Sequence, residues 1–343
     1  MRLIPSLMGG SRYRTGDWVV VRSREEILAT LDENGCLDGM PFQPEMLALC
    51  GRKTQVFAVA HKTCEYSLPT ADGRKVRKAV HLAEGRCDGS AHDGCQQHCH
   101  LFWRDEWLRP ADAPAPKSLP AGPFKVDAAA LQRLTRVSPP GTPPDDVIYR
   151  CQTTDLRRVT EHLPWWDVRQ YVDDVTSGNL RVRDLLWLLS GGILRRLLDT
   201  GVAYRVWRGL HDRLAAMRNR PGIGPYVGKI PLGKPTPVEP LDLQPGDQVQ
   251  VKSWPEIEAS LNVEGANRGM RFDYEMTRYI GPTYKVEARI ERIIHEKTFK
   301  MTVMKTPCIQ LEHVHCRAEC TRDRLGCPRK GRTFWREIWL KKV

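Results

Sequence analysis

Cys87, His92, Cys95 and Cys99 follow one another as C-x4-H-x2-C-x3-C, and Cys308, His313, Cys316 and Cys320 repeat that spacing. Thiolate and imidazole suit zinc and iron–sulfur clusters, whereas calcium and magnesium take oxygen ligands. Three thiolates and one imidazole in so short a stretch can surround one tetrahedral zinc at about 2.0–2.3 Å. Iron–sulfur clusters are mostly held by four thiolates. On that alternative Cys64 joins Cys87, Cys95 and Cys99, and Cys327 joins Cys308, Cys316 and Cys320. The motif therefore predicts zinc or an iron–sulfur cluster, one per repeat. His98, His100 and His315 lie next to ligand candidates and are expected to support them or face solvent. Cys36, Cys50 and Cys151 stand apart and read as small buried apolar residues.

The rest of the chain offers little rival chemistry. No Gly-rich phosphate loop, nucleophile elbow or His-Glu-x-x-His occurs. The 343 residues carry a net charge of +12, which admits an anionic partner such as nucleic acid, phosphate or an acidic membrane face. The eleven cysteines are an odd number, which argues against a complete disulfide framework. Residues 1–10 lack the apolar core of a secretory signal, and no run of about 20 apolar residues occurs. The expected setting is the cytoplasm, where thiols stay reduced and clustered cysteines read first as metal ligands.

The elements that must position these residues recur as well. Gly16-Asp17-Trp-Val19-Val-Val21 matches Gly246-Asp247-Gln-Val249-Gln-Val251, and the match runs on through Phe42/Phe272 and Val56/Val286. Such self-similarity outranks local signals in fixing an architecture. Asp17-x-Val19-x-Val21 alternates as a strand does. Ser23-x-x-Glu26 is a capping box and opens a short helix through Leu31. Phe42-x-Pro44-Glu-Met46 suggests a packed turn or a 3₁₀ segment, and residues 55–59 and 285–290 suggest strands. A last strand is expected over residues 101–108 and over 333–340, with Trp103, Trp107, Trp335 and Trp339 in the core. The fold class expected is α+β, with two small SH3-like β-barrels joined by a helical middle region.

Domain boundaries follow from composition. Residues 11–109 form the first barrel, 110–126 a Pro/Ala-rich linker, 127–222 the helical middle, and 241–343 the second barrel. Short helices are expected over 154–162 and 166–175. Residues 180–218 combine a dense apolar core with several arginines. They read either as a buried helix pair or as a basic amphipathic helix lying on a membrane surface.

Two resemblances add to this. Cys87-Asp-Gly-Ser-Ala-His92 resembles the CDGSH motif of the mitoNEET-type [2Fe–2S] proteins, which use three cysteines and one histidine. Here an extra Ala91 precedes the histidine, the upstream C-x-C is missing, and two cysteines follow. The resemblance implies a cluster and nothing more specific. The whole chain also resembles members of a bacterial family with a Cys-rich module and no established activity. The resemblance rests on Arg22-Ser-Arg-Glu-Glu-Ile-Leu-Ala-Thr-Leu-Asp-Glu33, Arg86-Cys-Asp-Gly-Ser-Ala-His92 and Pro164-Trp-Trp-Asp-Val-Arg-Gln-Tyr171. It implies a bacterial cytoplasmic setting and a self-sufficient module over residues 11–109.

The function expected is a metal-binding scaffold or interaction module that docks a protein partner, with membrane contact through residues 180–218 as an option. A zinc- or iron–sulfur-dependent enzyme or redox partner is the second expectation. A nucleic-acid binder is the third, since small barrels can bind strands by charge and stacking.

Overall fold

The computed structural model describes residues 6–65, 72–114, 116, 118–120, 122–186, 188–189, 206, 209–210, 213, 217, 226–318 and 325–343. The chain divides into two compact units. The first comprises Met1–Leu188, Arg292–Thr302 and Thr321–Gly331; the second comprises Leu189–Glu291, Val303–Cys320 and Arg332–Val343. Helices and antiparallel sheets occur together, so the fold class is α+β. Among the described residues no helix is long and apolar enough to cross a membrane. Most of residues 180–218 lies outside the described residues.

In the first unit β1 (Trp18–Val21) leads to α1 (Arg24–Leu28), which is opened by the expected capping box. Ser23 Oγ accepts from the Glu26 N–H at 3.2 Å, and the Glu26 carboxylate accepts from the Ser23 N–H at 2.9 Å. The helix ends at Leu28, three residues before the predicted end. The short hairpin of β2 (Cys36–Leu37) and β3 (Met40–Pro41) follows, then a 3₁₀ turn over Pro44–Leu49. Next come β4 (Lys53–Val59), β5 (Lys62–Glu65), β6 (Asp72–Lys75) and β7 (Ala79–Leu82). The expected strand over residues 101–108 is broken instead. It forms β8 (Trp103–Arg104), a 3₁₀ turn over Asp105–Trp107, and β9 (Leu108–Pro110). This corner puts β8 and β9 at opposite edges of one antiparallel sheet, ordered β8-β7-β4-β1-β9.

The core under that sheet is aromatic. Trp103 and Trp107 are fully buried, and Phe42 meets both edge-on at 6.2 and 5.1 Å. Val126, Leu131 and Leu156 join the same core, and residues 127–188 belong to this first unit. That part contains α2 (Ala128–Leu134), α3 (Leu156–Val159), β10 (Glu161–His162) and α4 (Arg169–Thr176). Residues 161–162, expected as helix, pair with β6.

In the second unit β11 (Gln248–Val251) precedes α5 (Trp254–Ala259) and the hairpin β12 (Ala266–Asn267) with β13 (Met270–Arg271). A 3₁₀ turn over Tyr274–Tyr279 leads to β14 (Thr283–Ile294), β15 (Met301–Leu311) and β16 (Leu340–Lys342). The sheet order is β15-β14-β11-β16. Its registers echo those of the first sheet: Trp18 pairs with Gln55 and Gln248 with Lys285. Likewise Val21 pairs with Leu108, and Val251 with Leu340. Trp335 and Trp339 are fully buried with Phe272 edge-on to both.

A buried ion pair ties α4 to β5. Lys62 Nζ donates to Asp174 Oδ2 at 2.5 Å and to the Leu325 carbonyl at 2.7 Å, with both side chains almost fully enclosed. Removing one member of such a pair strands the other charge in a medium of low polarity. Asp174→Asn is expected to cost about 3–5 kcal/mol in urea unfolding. The double change Lys62→Met with Asp174→Leu should cost clearly less. A single variant as stable as the wild type would refute this account of the contact.

Candidate metal centre

The loop carrying Cys87 and Cys99 is closed at its base as a strand pair would be. Arg86 bridges His100, and the Cys87 N–H donates to the Cys99 carbonyl at 2.8 Å. That pairing brings the two ends of the motif together. Inside the loop Gly89 has φ +73°, and a Cβ there would stand 1.9 Å from the Cys95 carbonyl oxygen. Only glycine fits so close an approach. The His92 and Gly94 N–H groups donate to the Gly89 carbonyl at 2.9 and 3.0 Å. Asp88 Oδ1 accepts from the Ser90 N–H at 2.9 Å and from its hydroxyl at 2.7 Å. The Asp-Gly-Ser that resembles a cluster motif thus serves locally to shape the turn.

Cys87, Cys95 and Cys99 line one cavity of about 30 Å³, and so does Cys151, between the bridge at Tyr149 and α3. Each of the four sulfurs accepts a hydrogen bond. Cys87 Sγ accepts from Gln43 Nε2 at 3.7 Å and Cys95 Sγ from the Ile294 N–H at 3.4 Å. Cys99 Sγ accepts from Thr153 Oγ1 at 3.5 Å and Arg329 Nη2 at 3.6 Å, and Cys151 Sγ from the Thr154 N–H at 3.5 Å. Burial pushes the Cys87 thiol far up, with Glu45 and the neighbouring thiols adding to it. Burial also lifts Cys95 to about 11 and Cys151 to about 12. Such thiols become thiolates together when a cation compensates their charge.

His92 lines the cavity, but both its ring nitrogens are engaged elsewhere. Nδ1 meets Glu45 Oε1 at 2.6 Å and Nε2 meets the Arg150 carbonyl at 3.1 Å. Burial alone would raise the Glu45 carboxyl. The hydrogen bond and charge of His92, with the Ala91 N–H, outweigh burial and hold it below its ordinary value. Among the described residues, Glu45, Cys87 and His92 form the one set whose ligand atoms all lie within 4.8 Å of one another. In that set the histidine and carboxylate already bind each other, and the Cys87 thiol donates to the same carboxylate oxygen at 3.6 Å.

Other expected ligands lie elsewhere. Cys64 is buried on β5 and Cys327 is buried, and neither lines the cavity. Cys151, set aside in the sequence as a lone apolar residue, is the thiol that joins the loop. Its placement follows from Gln152, which contacts β3 and the segment before β8 in the fold but has no mark in the sequence. His100 lines the cavity and stacks on Phe57 at 4.8 Å.

The second motif has a different geometry. Cys308 lies on β15, its sulfur against Met304 Sδ at 3.2 Å and Arg336 Nη1 at 3.4 Å. Burial raises its thiol to about 11. His313 is exposed with φ +62°, Cys316 is half-buried, and Cys320 lies outside the described residues. The strand pairings explain why equal spacing does not give equal positions. Val80 pairs with Trp103 and Ile309 with Trp335; Arg86 bridges His100 and His315 bridges Arg332. Cys316 therefore follows its sheet as Cys87 does, and Cys308 stands where Ala79 does. Glu275 also caps the loop after Cys316, accepting from the Arg317 N–H at 2.7 Å, as Glu45 caps the loop after Cys87.

Comparison with protein-family models, curated proteins and solved structures finds no match. The residues and their geometry carry the functional argument.

Beside the cavity, His81 is fully buried with Nδ1 3.0 Å from the Leu101 carbonyl. Burial lowers its pKa from 6.5 to about 4. The unfolded chain then binds a proton that the folded one refuses, so stability is full above 6.5 and declines as pH falls towards 4. The decline attributable to His81 should be about 3 kcal/mol, read as the difference between wild type and His81→Asn in urea unfolding across that window. Parallel curves for the two proteins would count against it.

Proposed function

We propose that this chain is a metal-binding protein whose centre is built on the loop of Cys87, Cys95 and Cys99, and that the centre ties down a scaffold or interaction module. The observation that carries this is the convergence of four hydrogen-bonded cysteine sulfurs on one cavity. Cys36 and Cys308 each accept from an arginine as well, so it is the shared cavity that sets these four apart. Donors of this kind are what thiolate ligands require, because they orient the ligand and offset its charge. Zinc and iron–sulfur chemistry both suit a sulfur donor set.

The matching strand registers support the finer architecture: two related SH3-like modules, each with a 3₁₀ turn directly before its last strand, over Asp105–Trp107 and Glu337–Trp339. In such small domains a bound metal supplies folding free energy that a short core lacks. The proposal is made for the first motif; Cys320 of the second lies outside the described residues. A thiolate centre fits a reducing compartment such as the bacterial cytoplasm. A protein partner remains the proposed target of the module.

The purified full chain should contain metal, measured by elemental analysis, and lose thermal stability when a chelator strips it. Cys87→Ser and Cys99→Ser should remove most of the metal, while Cys308→Ser should keep it. A metal-free wild type that folds with undiminished stability would sink the proposal.

A further inference from the structure

We infer that the cavity takes an iron–sulfur cluster held by the thiolates of Cys87, Cys95, Cys99 and Cys151. The inference rests on the metal-centre proposal and names its cofactor and its fourth ligand.

Three observations lead to it. The first is the donor set. His92, the imidazole of the motif, has both ring nitrogens committed, to Glu45 and to the Arg150 carbonyl, so its lone pair is not turned to the sulfurs. Cys151 supplies the missing donor. It is fixed by its N–H donating to Thr154 Oγ1 at 2.8 Å and by its carbonyl accepting from the Asp155 N–H at 3.0 Å. Four thiolates are the usual ligand set of two- and four-iron clusters.

The second is the spread of the sulfurs. Around one zinc, thiolates stand about 3.8 Å apart, as Zn–S bonds of about 2.3 Å in a tetrahedron require. Among the described residues no three of these sulfurs lie within 4.8 Å of one another; the set that does contains Cys87 alone. The sulfurs ring a cavity rather than converge on a point. A cluster fits that arrangement, because its irons and sulfides occupy the middle and its thiolates bind at the periphery.

The third is charge. Four thiolates leave a bound centre anionic, and an anionic centre in a buried site needs a cation or strong donors beside it. Arg329 is buried and places Nη2 against Cys99 Sγ and Thr153 Oγ1, with Nη1 on the Cys64 carbonyl at 3.3 Å. Its guanidinium also lies 3.6 Å from Glu296, another residue lining the cavity. Hydrogen bonds to cluster sulfurs raise the reduction potential.

The test is anaerobic purification of the full chain, with assay of iron, acid-labile sulfide and zinc, followed by incubation with ferrous iron and sulfide. The expected result is iron and sulfide in equal amounts, with a broad visible absorption bleached by dithionite. The iron-to-protein ratio then gives the nuclearity. Cys151→Ser should lower bound iron at least tenfold, and His92→Gln should retain most of it. X-ray absorption at the iron edge of the wild type gives the ligand set without a variant: sulfur as the only ligand atom, with iron as the next neighbour, is expected. Stoichiometric zinc that ferrous iron and sulfide do not replace would overturn the cluster while leaving the metal centre standing. No metal under any of these conditions would overturn both. A nitrogen neighbour, or full iron in Cys151→Ser, would overturn the ligand assignment.

Discussion

The buried amide of Gln152 is the contact on which the candidate centre depends. Its Oε1 accepts from the Phe102 N–H at 2.7 Å, and its Nε2 donates to the carbonyls of Phe102 and Pro41, each at 2.9 Å. Its own N–H donates to Gln43 Oε1 at 2.8 Å. A buried primary amide is costly unless its donors and acceptor are satisfied, and here they are. The partners come from β3, from Gln43 two residues after it, and from the segment entering β8. The contact therefore fixes the segment of Cys151 and Thr153 against the first sheet. It acts together with Leu156 of α3, which packs in the core, and with the Arg150 guanidinium, which donates to the Asn34 carbonyl at 3.1 Å.

Gln43 links this bracket to the sulfurs. While its Oε1 receives the Gln152 N–H, its Nε2 points at Cys87 Sγ. Arg329 plays the corresponding part on the other side, with one nitrogen on the Cys64 carbonyl and another on Cys99 Sγ. Residues that hold the backbone together thus also donate to the cysteines. The folding of the first unit and the shape of its thiol cavity share the same polar contacts. A change at Gln43 or Arg329 is accordingly both a packing change and a change at the sulfurs.

Much of this was legible in the sequence. The capping box at Ser23, the 3₁₀ turn from Pro44 and the burial of the paired tryptophans each depend on a local pattern that one stretch of chain contains in full. The motif also named three of the four cavity cysteines. The break at Asp105–Trp107 was not legible, because alternating apolar residues look alike whether the strand continues or turns a corner there. Cys151 was missed for a different reason. Its neighbours are set by Gln152, Thr135 and Asp155 across the fold, and no fixed spacing announces such contacts.

Equal spacing was the most persuasive feature of the two motifs, and it is the one the fold treats differently. Spacing is counted along the chain, whereas position is counted along the ladder. The turn between β7 and Cys87 is matched by the turn between β15 and Cys316, where the Gly85 and Val314 N–H groups donate to the Leu82 and Leu311 carbonyls. Cys308 precedes that turn and so lies within the sheet, where its thiol packs against Met304 and Arg336. A cysteine held by a ladder faces whatever its strand faces, because side chains alternate strictly along it. The loop of Cys87 escapes that constraint. Glycine at position 89 lets it fold back on Cys95, and Glu45 caps the Ala91 N–H from outside. The difference between the two motifs is therefore one of register: in one the leading cysteine falls after the ladder ends, and in the other it falls inside it.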